Sequence, residues 1–322
     1  MANTNLRNAN RAKKDEFYTS YADIERECEK YREQFVDKII YCNCDDPVES
    51  NFFKYFANNF DFFKLKKIIA THYHDSKPTY KLEINKKLDL NSDGKIDIVD
   101  VEKTPLIGNG DFRNAECIEL LKEADIVVTN PPFSLFREYM EQLMDYDKKF
   151  LIIGNTNSLT YKEIFKLFKE DNIRTGYTNF NTGMYFVVPD SWGKYHKIDD
   201  SGNKLVRVAS SCWLTNLEVS KHHDDVILYR SYVAEDYPKY DNYDAINIDK
   251  YTEIPQDYAG NMGVPITFLD KYNPDQFEII DGIGRYSMLT GPTADTKGTY
   301  LTKIDGKPKY ARVIIRNKRI KE

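Results

Sequence analysis

The chain has 322 residues, 41% of them hydrophobic, which is enough for one large domain or two modest ones. No apolar run approaches the roughly 18 residues of a membrane span, and the first residues hold no stretch of signal-peptide type, so a soluble, cytoplasmic protein is expected. The net charge of −5 does not by itself suggest a nucleic-acid partner, and five scattered cysteines without a Cys-x-x-Cys pair argue against a disulfide framework or a zinc ribbon.

The charge is uneven. Arg7, Arg11, Lys13 and Lys14 stand near the N-terminus with no acid among them, and residues 303–322 carry eight basic side chains against Asp305 and Glu322. Both ends are candidates for phosphate contacts, with Arg11, Lys13, Lys14, Arg316, Lys318 and Arg319 as the expected DNA-binding residues. After Tyr18 and Thr19, the spacing of Tyr21, Ile24, Cys28, Tyr31 and Phe35 predicts an amphipathic helix, with Ser20 as its cap.

Strands and helices then alternate. Residues 38–42 read as a strand, 50–60 as an aromatic-rich helix, and 66–70 as a second strand. Residues 114–122 read as a helix, 126–129 as a buried strand, 135–146 as a helix and 150–153 as another strand. Thr160 and Glu163 suggest a capping box opening a helix through Phe168. Short apolar strands alternating with helices imply a doubly wound α/β domain around a parallel sheet. Beyond about Asp190 the rhythm changes. Residues 184–188 and 212–215 look like strands of a closing hairpin, and a smaller β-containing region follows.

The chemistry concentrates after the strand at 126–129. Asn130-Pro131-Pro132-Phe133 stands at the strand's carboxyl end, where ligands bind in open α/β sheets. The Asn130 amide oxygen and the Pro131 carbonyl can accept hydrogen bonds from an adenine amino group. Two prolines without N–H groups stiffen the turn, and Phe133 offers a flat face to a base drawn out of a duplex. Gly110-Asp111-Phe112 precedes Asn130 by room for one helix and one strand, so both loops can open on the same edge. Asp111 can accept from a cofactor's adenine amino group while Phe112 packs on the ring. Asn43, Asp45 and Asp46 follow the first strand, and a carboxylate there could hold a cofactor's amino-acid portion or ribose.

Taken together these residues resemble the EcoRI-type adenine-specific DNA methyltransferases. The likeness runs through Asp-Glu-Phe-Tyr-Thr at 15–19, Tyr-Cys-Asn-Cys-Asp-Asp-Pro at 41–47, Gly-Asp-Phe-Arg at 110–113, Thr-Asn-Pro-Pro-Phe at 129–133, Cys-Trp-Leu-Thr-Asn-Leu at 212–217 and Met-Gly-Val-Pro-Ile-Thr-Phe-Leu at 262–269. The resemblance implies a Rossmann-like catalytic domain over 1–217 that binds S-adenosyl-L-methionine, with an inserted hairpin region at 71–107, and a target-recognition domain over 218–322. It implies double-stranded DNA as partner, a flipped adenine as methyl acceptor, a monomer, no metal, and a cognate restriction endonuclease acting independently. It places Tyr18 and Thr19 at the methionine end of the cofactor. The chain departs from the general methyltransferase pattern in two places. Its first loop lacks the usual glycines, and Ala70-Thr71-His72-Tyr73 stands where an acid would end the second strand.

Two other readings compete. A glutamine-amide methyltransferase shares the Asn-Pro-Pro-aromatic turn, but the C-terminal region and basic ends favour DNA. Residues 89–100 place oxygens and a glycine as a calcium loop does, which raises a calcium-dependent interaction module, but Asp100 replaces the usual glutamate. An Asp-Gly hairpin at 93–94 between alternating strands is the preferred reading. The His72-x-His74 and His222-His223 pairs are expected to be solvated.

Overall fold

The chain divides into two compact units, residues up to 154 with 176–217, and residues 155–175 with 218–322. The computed structural model describes residues 18–44, 46–284 and 301–320. No described helix is long and apolar enough to cross a membrane.

In the first unit a short strand, β1 (Tyr18–Thr19), leads into α1 (Tyr21–Cys28). The Ser20 hydroxyl accepts from the Asp23 amide at 3.3 Å and donates to the Asp23 carboxylate at 2.9 Å, the expected cap. The apolar stripe runs on through helical turns at Glu29–Tyr31 and Arg32–Phe35, and Ile24, Cys28, Tyr31 and Phe35 are fully buried along it.

The main sheet is built from β2 (Ile39–Cys42), β3 (Lys67–Thr71), β4 (Tyr80–Asn85), β5 (Glu102–Pro105), β6 (Ile126–Thr129) and β7 (Lys149–Asn155). The connections carry α2 (Asn51–Asn58), α3 (Ala115–Glu123) and α4 (Phe136–Asp145). Within this unit the order is β5-β4-β3-β2-β6-β7, with β3, β2, β6 and β7 parallel and β4 and β5 antiparallel to their neighbours. Every residue of β2 and β6 is buried, so both faces of the sheet are covered there. From β2 the chain steps to β3 on one side and returns as β6 on the other. The strand order therefore reverses between β2 and β6.

Three local expectations are corrected. Residues 184–188 and 212–215 do not form one hairpin. β8 (Met184–Val188) joins a separate antiparallel sheet with β1, β9 (Lys197–Ile198) and β10 (Lys204–Val208), while β11 (Ser211–Thr215) enters the main sheet beside β7. Burial explains the split: β8 alternates buried and half-buried residues, whereas β11 is buried throughout. The second correction is at 93–94, where no tight Asp-Gly hairpin forms. β4 and β5 do pair, but the residues between them form a long loop whose amides are satisfied by side chains. Asp89 accepts from the Gly94 amide, Asp93 from Lys95, and Asp100 from Leu90 and Asp97. Thr160 is the third, because it caps no helix. It lies in the 3₁₀ turn Ser158–Thr160, and its hydroxyl donates to the Asn157 carbonyl.

The second unit contains α5 (Lys162–Lys169) and a sheet of β12 (Ile246–Asn247), β13 (Met262–Pro265), β14 (Phe277–Ile283) and β15 (Arg312–Asn317), in the order β12-β13-β15-β14. β12 and β13 are parallel, and β14 is bulged at Ile279/Asp281 where it pairs with β15. Phe165 of α5 packs so closely on Gly282 that a Cβ there would fall 2.4 Å from the ring. Buried Arg312 donates to Asp249 at 2.9 Å and to Asn247 at 3.3 Å.

One buried carboxylate holds α1 to the segment that leads into β8. Glu27 is fully buried and accepts from the Tyr31 hydroxyl at 2.9 Å, the Tyr177 amide at 2.6 Å, the Thr178 amide at 2.7 Å and the Thr178 hydroxyl at 2.6 Å. Glu27→Ala strands two backbone amides away from water, at about 1–3 kcal/mol each. The expected result is a loss of about 3 kcal/mol in unfolding free energy, read as a lower urea midpoint at unchanged slope. A midpoint equal to the wild type would mean that water replaces the carboxylate.

Candidate active site

The carboxyl ends of β2, β3 and β6 lie on one edge of the sheet because these strands are parallel. β5 runs in the same direction as β3, since each is antiparallel to β4, so the loop that follows it opens on that edge too. The loops at 43–50, 72–79, 106–114 and 130–135 thus surround the point where strand order reverses, the place where open α/β sheets bind ligands.

The loops are tied to one another. The Cys44 amide donates to the Thr129 hydroxyl at 3.2 Å, joining the ends of β2 and β6. Asn43 is buried, and its side-chain oxygen accepts from the Tyr139 hydroxyl of α4 at 2.6 Å. Phe112 packs edge-on against the same Tyr139 ring, with centroids 5.1 Å apart. Thr19 pairs with Phe186, and its carbonyl accepts from the Asn51 side chain at 2.8 Å, which fastens β1 to the start of α2.

The structure brings together Thr19, Asn43, Asp46, Asp111, Phe112 and Asn130 through these loops. Asp46 accepts from the Val48 amide at 2.8 Å through Oδ1 and faces His72 Nε2 at 3.3 Å through Oδ2. Asp111 is bridged by Arg113, which donates from Nε at 2.8 Å and Nη2 at 2.7 Å. Phe112 is 5% exposed, so its ring is mostly spent on packing. Pro131 is buried and Pro132 half-buried. The Pro132 carbonyl accepts from the Leu135 amide at 3.0 Å and turns the chain into α4. Phe133 keeps 38% of its surface exposed. Tyr18 is half-buried beside Val187. Asp45, Arg11, Lys13 and Lys14 lie outside the described residues.

Three buried polar atoms on these elements have no hydrogen-bond partner among the described residues: Thr19 Oγ1, His72 Nδ1 and Asn130 Oδ1. A buried acceptor or donor without a partner is costly, and a polar ligand can supply one; six further such atoms lie elsewhere among the described residues.

The C-terminal basic residues are engaged within the second unit. Arg316 donates to Asn261 at 3.0 Å, Lys318 to the Pro274 carbonyl at 2.8 Å, and Arg319 bridges Asp225 at 2.6 and 2.8 Å. Among the described residues no group of three or more His, Cys, Asp or Glu side chains could hold a metal ion.

Sequence reasoning missed Tyr139, whose place in an apolar helical stripe reads only as core, and Asn51, which reads as a helix start. It also treated His72 and His222 as solvated. His72 stacks on Tyr80 and faces Asp46, and His222 is buried against Asp171 at 2.8 Å. The signal for His72 was its position at the end of the second strand.

The family model described as "Adenine-specific methyltransferase EcoRI" matches residues 5–318. The type II methyltransferase M.EcoRI of Escherichia coli is 48% identical over 98% of this chain and 97% of that protein. The type II methyltransferases M.MpnI of Mycoplasma pneumoniae and M.MgeORF184P of Mycoplasma genitalium are 37% and 38% identical. They cover 96% and 97% of this chain, and 97% and 98% of their own lengths. No solved structure matches the chain.

The Arg113 guanidinium beside Asp111 holds its carboxyl below the usual carboxylate range. A depressed folded value means that the pair's contribution to stability is present above the unfolded value of about 3.9 and lost as pH falls through the folded one. Arg113→Gln should move the Asp111 midpoint upward in a carbon NMR titration of the carboxyl signal. An unmoved midpoint would assign the depression to the backbone amide of residue 113 alone.

Proposed function

The chain belongs to the EcoRI-type family of adenine-specific methyltransferases, and from that premise we propose that it moves a methyl group from S-adenosyl-L-methionine to the exocyclic amino nitrogen of an adenine flipped out of double-stranded DNA. The observation that carries this reading is Asn130. Its side-chain oxygen is buried, unpartnered and placed at the strand-order reversal, at the head of a Pro-Pro turn that ends in an exposed phenylalanine.

The roles follow from donors and acceptors. Asn130 Oδ1 and the Pro131 carbonyl accept from the adenine amino group, which localises the nitrogen lone pair for attack. Phe133 stacks on the extruded base, a contact worth about 1–3 kcal/mol. Extrusion is needed because the amino nitrogen is otherwise held within the base stack. When bound, S-adenosyl-L-methionine supplies an electrophilic methyl group on a sulfonium. The orphaned Thr19 hydroxyl fits a polar cofactor at this edge. Tyr18 and Thr19 face its methionine end, Asn43, Asp45 and Asp46 its middle, and Asp111 with Phe112 its adenine. The second unit reads the DNA target. The same reading makes the protein a cytoplasmic monomer that works independently of a cognate restriction endonuclease.

Asn130→Ala should abolish methyl transfer while leaving cofactor affinity within a few-fold, because its partner is the substrate base. Tritium transfer from labelled S-adenosyl-L-methionine to duplex DNA, beside calorimetry of cofactor binding, checks both halves. Label entering a protein amide instead of DNA, or near-normal turnover in the variant, would overturn the assignment.

Lys318 and Arg319 are the exposed members of the C-terminal run, and on DNA Arg319 would exchange Asp225 for a phosphate. Neutralising both should weaken specific and non-specific duplexes about equally. It should also flatten the log-affinity against log-salt slope by up to about 0.9 for each phosphate that is no longer neutralised. An unchanged slope in a salt titration would remove these residues from the DNA interface.

A further inference from the structure

Tyr139 is a buried phenol with no part in the donor and acceptor scheme of the reaction. It lies one turn into α4, the helix that starts directly from the Asn130-Pro131-Pro132-Phe133 turn, and it is fully buried. Burial pushes its hydroxyl well above the ordinary phenol value, so it stays protonated and needs an acceptor. That acceptor is Asn43 Oδ1 at 2.6 Å, just past the end of β2.

The bond settles the direction of the Asn43 amide. Its oxygen is turned onto α4, and its NH2 group, which can only donate, faces away. Without the hydroxyl, Oδ1 would keep only the weak contact from the Cys44 thiol at 3.5 Å, and the amide could turn over. The same helix holds a second loop. The Tyr139 ring meets Phe112 edge-on, and Gln142, three residues on, donates to the Phe112 carbonyl at 3.1 Å. Gln142 makes that bond while its own Oε1 stays buried with no partner among the described residues, an arrangement that costs stability. The helix is therefore a common reference, with the Asn130 turn at its head and Asn43 and Phe112 against its side.

We propose that Tyr139 is a positioning residue for methyl transfer, its hydroxyl holding the Asn43 amide in the one orientation that sets the first loop against the Asn130 turn. This rests on the reading that the site brings S-adenosyl-L-methionine and an extruded adenine together. A displacement of about 1 Å between reacting groups can slow such a step about 100-fold, so a small change at Asn43 should be felt in the rate. The test is the single-turnover rate constant for methyl transfer to duplex DNA, with cofactor and DNA both saturating. It is measured in the wild type, Tyr139→Phe, Asn43→Ala and the double variant.

Tyr139→Phe keeps the ring against Phe112 and should slow transfer by about ten-fold or more. Asn43→Ala should slow it comparably. Adding Tyr139→Phe to Asn43→Ala should then change the rate constant by less than about two-fold, because a residue that acts through another adds nothing once the other is gone. A purely structural role gives a different pattern: fewer folded molecules lower the amplitude of the turnover and leave its rate constant alone. A wild-type rate constant in Tyr139→Phe, or losses that multiply in the double variant, would overturn the proposal. Absence of methyl transfer to DNA by the wild type would instead overturn the reading beneath it.

Discussion

Ile39–Cys42 and Ile126–Thr129 lie side by side, parallel and buried along their whole lengths, and the remainder of the first unit is arranged around that pair. Parallel neighbours cannot be joined by a tight turn, so the chain must leave the sheet between them and come back. It does so by building β3, β4 and β5 on one side before returning on the other. The reversal leaves a gap in the ring of connections at the carboxyl ends of the two strands. Asn43 and Asn130 each stand just past the end of one of them, and the hydrogen bond from the Cys44 amide to Thr129 keeps the two ends in register. A site at this edge follows from the topology before any functional side chain is considered.

The loops around that edge are not held mainly by packing. Carboxylates hold them by satisfying backbone groups, Asp46 in the loop after β2 and Asp111 before α3, as Asp23 and Glu27 do at α1. A charged acceptor makes a stronger bond to an amide than a neutral one, and it fixes direction as well as distance. That suits a surface which must be rigid without being apolar.

Set against these spent acceptors, the unspent ones stand out. Asn43 gives its oxygen to Tyr139, and Asp111 is bridged by Arg113, so both are already paired within the protein. Asn130, Thr19 and His72 each hold a buried polar atom with no partner among the described residues. Such atoms destabilise the free protein, and a ligand that pairs with them recovers that energy on binding. Stability and affinity are coupled at these three residues in a way that they are not at Asn43.

Much of this was legible in the sequence, because hydrophobic period and turn chemistry are local. The stripe from Tyr21 to Phe35, the buried runs at 39–42 and 126–129, the Ser20 cap and the Asn-Pro-Pro-Phe turn all declare themselves within a few residues. So did the family, through blocks spread along nearly the whole chain. What stayed hidden depends on residues far apart in the chain. Met184–Val188 and Ser211–Thr215 look alike as apolar runs, and only their neighbours decide that one joins β1 and the other β7. Lys162–Lys169 groups with the C-terminal unit because Phe165 finds a glycine at 282. His72 reads as a surface histidine until Tyr80, Asp46 and Gly110 close around it. Local spacing determined which elements form and where the Asn-Pro-Pro-Phe turn lies. Which acceptors are spent and which are left for a ligand was decided only by the fold, since a hydrogen bond between distant residues leaves no periodic trace in the chain.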